Sequence, residues 1–317
     1  MEFRTPVSPL AGRQGLVSHS TPLLLIGSCF AENIGRRLAD ALFDVTVNPF
    51  GPLYNPLSIL AALRPDVASI HGEDSSVGGH TFHFMAHSRL SGSDFAATLA
   101  AVSAATATMQ RAMRDARVVF VTLGTTRLFR LKASGQVVAN CHKMPASMFA
   151  EQRLSLAETV DALSDIVEAL RKTSAAPEKL QVVFTVSPVR YTAEGAHANQ
   201  LAKSTLLLAV DEVVRRFPET ASYFPAYEIL MDDLRDYRFY ADDMKHPSDL
   251  AVSYIYSLFA RSYFDSATEE VARAAEAVTR RLAHRTAGPA PDIESVAAPL
   301  VARCPALANV LKNHKSL

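Results

Sequence analysis

The stretch Leu23-Leu-Leu-Ile-Gly-Ser-Cys-Phe-Ala-Glu-Asn-Ile-Gly35 decides how this chain folds. Four apolar residues, Leu23 to Ile26, read as a buried strand that stops at Gly27. Ile34, Leu38 and Leu42 then recur at a helical spacing, which predicts a helix over about residues 31–43. A strand that turns through glycine into a helix brings its last residues to the carboxyl edge of a sheet, where open α/β folds hold their ligands. Two nucleophiles, Ser28 and Cys29, stand at that edge side by side. The helix N-terminus behind them offers unpaired N–H groups and a positive dipole end. Both lower a thiol pKa and stabilise a developing oxyanion.

Outward from this unit the pattern repeats. Val45 and Val47 alternate with polar neighbours as a short second strand, Val118–Thr122 and Gln181–Val186 read as the third and fourth, and Tyr223–Ile229 as the fifth. Helices are expected between them. Asn55 and Pro56 suit the N-cap and first residue of a helix over Leu57–Leu63. Ser93 is placed to cap an Ala-rich helix reaching Ala116, Ser155 and Glu158 form a capping box, and further helices are read over Asn199–Phe217 and after Pro247. Alternating short strands and helices argue for a parallel sheet covered on both faces. Leu128–Leu131 and Val137–Ala139, around Ser134-Gly135, look like a hairpin insertion. Residues 65–92 are the least regular, with a weakly alternating Thr81–Arg89 as a hairpin over the sheet edge. Residues 1–20 form an extended arm. The last fifty or so residues show helical patterns only, so the chain divides into an α/β domain over 1–265 and a helical extension over 266–317, packed on the domain or on a second copy as a homodimer.

Composition narrows the function classes. The 317 residues are 49% apolar and 20% charged, with 32 basic and 32 acidic side chains, so nothing in the balance calls for nucleic acid or an anionic membrane. No apolar run reaches the roughly 20 residues of a membrane span. Met1 to Pro6 lack a signal pattern, and a cytoplasmic protein is expected. Cys29, Cys141 and Cys304 are too few and too scattered for a disulfide framework or a zinc site. His80, His83 and His87 are spaced H-x-x-H-x-x-x-H, but on a strand they would not converge, and no carboxylate or cysteine completes a set. They read as a loop covering a substrate. Neither metal nor cofactor is expected.

The chemistry gathers at strand ends: Gly27-Ser28-Cys29, Asn48 to Gly51, and Gly124-Thr125-Thr126. Asp242-Asp243-Met244-Lys245-His246-Pro247 precedes the helix that follows. A carboxylate three residues before a histidine can fix its tautomer and steady the imidazolium formed when it takes a proton. His142 and Lys143 could hold an anionic group, as could Arg235 and Arg238 beside the Asp-x-x-His segment.

Gly27-Ser-Cys-Phe-Ala31, together with Asn48-Pro-Phe-Gly51, Tyr54-Asn-Pro56, Thr122-Leu-Gly-Thr125, Asn140-Cys-His-Lys143, Ser187-Pro188 and the Asp-x-x-His, resembles the GSCFA family of the wider SGNH (GDSL-type) hydrolase superfamily over about residues 20–265. The resemblance implies a flavodoxin-like three-layer α/β/α fold and acyl-ester chemistry. Laid on the superfamily's Gly-Asp-Ser-Leu block, the nucleophilic position falls on Cys29, with Ser28 as the alternative one residue away. The late acid and base fall on Asp243 and His246. The oxyanion hole implied is the nucleophile's own N–H with Gly51. Thr126 stands where an Asn belongs, so a Thr hydroxyl, Asn48 or Asn140 is the remaining donor. His142, Lys143, His87 and Arg238 are the candidate substrate contacts. The expected activity is hydrolysis of an ester or thioester, or transfer of its acyl group to a sugar or polysaccharide, through an acyl-enzyme. The alternative is a non-catalytic small-molecule or carbohydrate-binding module of the same fold.

Overall fold

The structure is a computed structural model, and it describes residues 5–64, 75–77, 80–283 and 293–314. In chain order β1 (Leu23–Gly27) runs into α1 (Cys29–Asp40), β2 (Val45–Val47) and α2 (Pro56–Leu63). An antiparallel pair, β3 (Ser75–Val77) and β4 (His80–Phe82), precedes α3 (Phe95–Asp115). After β5 (Val118–Leu123) comes an insertion of three antiparallel strands, β6 (Arg127–Leu131), β7 (Val137–Val138) and β8 (Phe149–Arg153). Then follow α4 (Leu156–Thr173), β9 (Gln181–Val186), α5 (Ala196–Arg216) and β10 (Ala221–Tyr223). A short α6 (Ala226–Glu228) runs on as a π turn, Ile229–Leu234. The chain ends with α7 (Asp249–Tyr263), α8 (Ser266–Ala283), α9 (Ile293–Arg303) and α10 (Leu307–His314).

β10, β9, β5, β1 and β2 lie side by side in that order, all parallel. Counting only these five strands along the chain, the order is 2-1-3-4-5, the flavodoxin-like arrangement. Its direction reverses between β1 and β5, and such a reversal leaves a crevice outside the carboxyl ends of the two strands.

The unbroken apolar run of β1 follows from burial on both faces. Leu24 and Ile26, with Val119 and Val121 of β5, pack against Ile59, Met109, Leu163 and Leu206 of α2 to α5. Leu23 and Leu25, with Val118 and Phe120, pack against Leu38 of α1 and Ile255 and Phe259 of α7. Each such side chain contributes about 1.5–3 kcal/mol by leaving water, so the site-bearing edge is anchored in the apolar core on both faces of the sheet. The N-terminal arm lies along α7, where Gly15 and Val17 donate to the Tyr263 carbonyl at 3.0 and 3.1 Å. α8 to α10 close a third apolar cluster with Leu42. Among the described residues no helix is long and apolar enough to cross a membrane.

Several boundaries differ from the sequence reading. α1 starts at Cys29 and ends at Asp40; Leu42 has φ 60°, so it leaves the helix and joins the C-terminal cluster instead. Asp94, not Ser93, caps α3, its carboxylate accepting from Ala97 N at 2.8 Å. α5 begins three residues early, at Ala196. β10 stops at Tyr223 because Pro225 has no N–H for the ladder, and the chain turns into α6. β4 finds its partner upstream in β3, so Thr81–Arg89 is not itself a hairpin. β8 escaped notice because Phe149 is its one buried residue, leaving almost no alternation to read. Of the irregular stretch 65–92, residues 65–74 and 78–79 lie outside the described residues.

Candidate active site

Cys29 is set in place by the residues just before it. Gly27 has φ 135°, and a Cβ there would lie 2.1 Å from the Thr122 carbonyl oxygen, so only glycine lets β1 run this close to β5. Ser28 N then donates to Thr122 O at 3.0 Å. Ser28 is the N-cap of α1: its hydroxyl accepts from Phe30 N at 3.3 Å, and the residue is almost wholly buried. Cys29 is the first helical residue and half-buried. The turn after β2 braces the same edge, with Asn48 Oδ1 accepting from Gly27 N at 2.8 Å and Asn48 N donating to Leu25 O at 2.9 Å.

A histidine approaches from the loop before α7. His246 Nδ1 lies 2.6 Å from Asp243 Oδ2, and Asp243 Oδ1 accepts the backbone N–H groups of Lys245 and His246 at 2.9 Å each. Those bonds, the backbone one from His246 foremost, hold the Asp243 carboxyl well below its usual range. Of the two neighbouring acids, Asp243 and not Asp242 makes this contact. Arg190 N donates to Lys245 O at 2.9 Å, tying the histidine loop to the segment after β9.

Cys29, Ser28, Tyr54, Thr125, Tyr191 and His246 line one cavity of about 230 Å³ at the carboxyl edge of β1, β5 and β9. Tyr54 serves twice. Its carbonyl accepts from Gly124 N and Thr125 N at 2.8 and 3.0 Å, which shapes the loop after β5. Its ring lines the cavity, where burial, with Cys29 and Glu32 nearby, pushes the phenol up to about 12.

Beneath the cavity lies Lys203 of α5, fully buried with no carboxylate against it among the described residues. Its ammonium donates to Gly124 O at 2.8 Å and Ser187 O at 2.7 Å, joining the loops after β5 and β9, and stands 5.9 Å from the centre of the Tyr227 ring. Burial pushes it down to about 7, with Arg190 acting the same way, while Cys29 pulls it up. One turn earlier Asn199 accepts from Tyr191 N at 2.8 Å.

The Cys29 thiol does not follow the expectation of a lowered pKa. Burial raises it, the Glu32 carboxylate raises it further, and these outweigh the N–H groups of Cys29 and Phe30 and the charge on Lys203. The helix end acts in the expected direction but loses to desolvation. A thiol held in this way needs a base beside it, and His246 lines the same cavity.

The other sequence candidates do not line the cavity, although Asn48 stands directly behind Gly27 at its edge. Gly51 N already donates to Asn48 O at 2.8 Å. Thr126, next to the cavity-lining Thr125, is fully buried, its hydroxyl without a partner among the described residues, as is Asn48 Nδ2. Asn140 shapes its own loop by accepting from His142 N at 2.8 Å. His142 stacks on Phe82 at 4.1 Å and reaches the His83 carbonyl at 3.0 Å, and Lys143 follows it with φ 59°. His87 N donates to Phe50 O, setting His87 against the Asn48–Gly51 turn. Arg238 pairs with Asp236 at 2.9 Å on the surface. Among the described residues no group of three or more His, Cys, Asp or Glu could hold a metal; the His80 side chain lies outside them.

Lys203 and Arg190 were not singled out from the sequence, and Tyr54 and Asn199 entered only as part of a motif and as a helix start, with no role at the site. For Lys203 a signal existed: it interrupts the stripe it shares with Leu206, Val210 and Val213 on the buried face of α5.

The GSCFA family profile matches residues 22–259. No curated protein matches the chain.

Proposed function

The chain belongs to the GSCFA family, and from that premise and the cavity we propose that it is an acyl-transfer enzyme of SGNH type, working through a thioester on Cys29. The observation that carries this reading is the Asp243–His246 pair, closed at 2.6 Å, opening on the same cavity as a half-buried cysteine at a helix N-terminus.

In this reading Asp243 holds the proton on His246 Nδ1 and leaves Nε2 to take the proton from Cys29 Sγ. The thiolate attacks the carbonyl carbon of an ester or thioester. The tetrahedral oxyanion is met by the Cys29 N–H, one of the first helical donors with no acceptor inside its helix. The second donor we assign to Asn48 Nδ2, a buried amide with no partner among the described residues, joined to Gly27 through its other end. Such orphaned donors are rare in folded proteins. Because the Gly51 N–H is already engaged, Gly51 acts by shaping the Asn48 turn. The intermediate collapses, the carbon–leaving-group bond breaks, and the imidazolium protonates the departing alcohol or thiol. Water, an alcohol or an amine then gives its proton to His246 and attacks the Cys29 thioester, releasing the acyl group and restoring the thiol. Lys203 stabilises the thiolate from below through its charge. Attack by an alcohol or amine makes the enzyme a transferase, with an acylated sugar or polysaccharide as the substrate class suggested by the superfamily.

One observation favours a binding module instead: burial keeps the Cys29 thiol protonated. Intact mass spectrometry after incubation with activated acyl esters and thioesters separates the readings. The acyl-enzyme reading expects one acyl mass on the wild type and on Ser28→Ala, and none on Cys29→Ala. Loss in Ser28→Ala alone moves the nucleophile one residue back. Absence of the adduct throughout, with the fold intact, favours the binding module.

A further inference from the structure

Arg190 and Thr192 stand on the rim of the reaction cavity and also on that of a second hollow of about 440 Å³. Met231, Arg235, Tyr237, Tyr240 and Met244 line the rest of its wall, with Asp236 and Leu230. Two guanidinium groups therefore border this hollow, and neither has a carboxylate within ion-pair distance among the described residues. The nearby acid is occupied: Asp236 accepts from Arg238 Nε and Nη2 at 3.1 and 2.9 Å and from its backbone N–H at 3.0 Å. Arg190 Nη1 rests 3.1 Å from Met231 Sδ, a weak acceptor that leaves the charge uncompensated. Tyr237 is 80% exposed, so its ring is open to solvent at the mouth of the hollow. Arg235 and Met244 have φ 47° and 56°, two of the six non-glycine residues in the left-handed region among the described residues. Each costs on the order of 1 kcal/mol and persists where the surroundings demand it.

Guanidinium forks match phosphate oxygens two at a time, and an exposed tyrosine offers a face for a ring to stack on. A single carboxylate would need only one of the two arginines. We propose that this hollow is a subsite for a phosphate-bearing, ring-containing handle on the substrate, with Arg190 and Arg235 binding the phosphate and Tyr237 the ring. The site deepens the acyl-transfer reading and rests on it for one point only, which molecule carries the handle: a donor thioester on a nucleotide carrier or a sugar phosphate acceptor.

Calorimetry tests it without turnover. The probes are adenosine 3′,5′-bisphosphate, glucose 1-phosphate, inorganic phosphate and adenosine, titrated into wild type, Cys29→Ala, Arg190→Met, Arg235→Asn and Tyr237→Ala. Asn keeps the left-handed backbone at 235 accessible, and thermal unfolding checks each fold. The expected result is binding of the bisphosphate equally to wild type and Cys29→Ala, weakened at least about tenfold by either arginine substitution. Tyr237→Ala weakens the bisphosphate and leaves inorganic phosphate unchanged. Glucose 1-phosphate binding with the same arginine dependence, in place of the nucleotide, supports the subsite and assigns the handle to a sugar. Failure of every phosphate probe to bind at millimolar concentration overturns the proposal, as does binding that survives both arginine substitutions. Because the readout is binding, failed acylation of Cys29 leaves this result standing, and failed binding leaves the acyl-enzyme standing.

Discussion

Two regions of this molecule carry a half-buried cysteine near histidines, and they are built to opposite ends. Cys29 stands at the switch point of the parallel sheet, on a cavity it shares with His246. Cys141 stands in the insertion, where Phe82, Phe84, Leu131, Val138 and Phe149 form a small apolar cluster and His142 is spent stacking on Phe82. Burial raises the pKa of both thiols. The difference is topological. At the sheet edge three strand ends and a loop must leave a crevice, so polar side chains meet across open space. In the insertion the strands fold back on one another and the polar groups satisfy local turns. A histidine beside a cysteine in sequence is therefore weaker information than a histidine delivered to the same strand edge from two hundred residues away.

The sharpest break of this comparison is substitution of each thiol. Cys29→Ala should abolish acyl-adduct formation, and Cys141→Ala should leave it within about twofold of wild type, both read by intact mass. Next, Asp243→Asn should slow adduct formation about 10²–10⁴-fold by releasing the imidazole tautomer, whereas Asp242→Asn should leave it unchanged. Stopped-flow with a chromogenic ester measures both.

Backbone strain draws the same contrast in stability. Gly27→Ala forces a Cβ onto the Thr122 carbonyl and should cost roughly 3 kcal/mol or more in urea unfolding. Gly135→Ala, in the open tip of the insertion with φ 72°, meets nothing and should cost only about 1–2 kcal/mol for its left-handed backbone.

Titration separates the regions more gently. Lys203 is lowered from 10.5 to about 7 on folding, so between those values the unfolded chain binds the extra proton and stability rises with pH, by up to roughly 1.4 kcal/mol per unit. Lys203→Met should flatten that rise. His142 is also lowered, from 6.5, by burial; its contribution is present above 6.5 and is lost as pH falls toward the folded value. His142→Phe should remove that part of the acid sensitivity and leave adduct formation unchanged. Arg238→Ala, on an exposed pair with Asp236, should change stability by less than about 0.5 kcal/mol.

The parallel sheet was legible because residues 23–26, 118–121 and 182–184 are buried on both faces and so read as unbroken apolar runs. The Ser155–Glu158 capping box and the Asn55 cap were legible because caps are local chemistry, and both form as read. Cys29, Asp243 and His246 stood out as a pattern, and the fold brings Cys29 and His246 to one cavity. β8 was not legible, since it pairs across the whole insertion with β6 and its side chains barely alternate; the partner of β4 pairs locally, but Ser75–Val77 is too short a strand to show a period. Lys203 was hidden for a related reason: a lysine in a helix reads as solvated until the sheet edge above it is known. The protonation of Cys29 was misread because sequence shows the helix end but not the depth of burial that opposes it.

The central claim is that His246 activates Cys29 and that nothing equivalent acts on Cys141. The most direct test follows alkylation of all three cysteines by iodoacetamide, resolved by peptide mass, in wild type and His246→Ala. Cys29 should react at least tenfold faster than Cys141 in the wild type, and His246→Ala should bring it down to the rate of Cys141. Equal rates at the two cysteines in the wild type, unmoved by His246→Ala, would contradict the account.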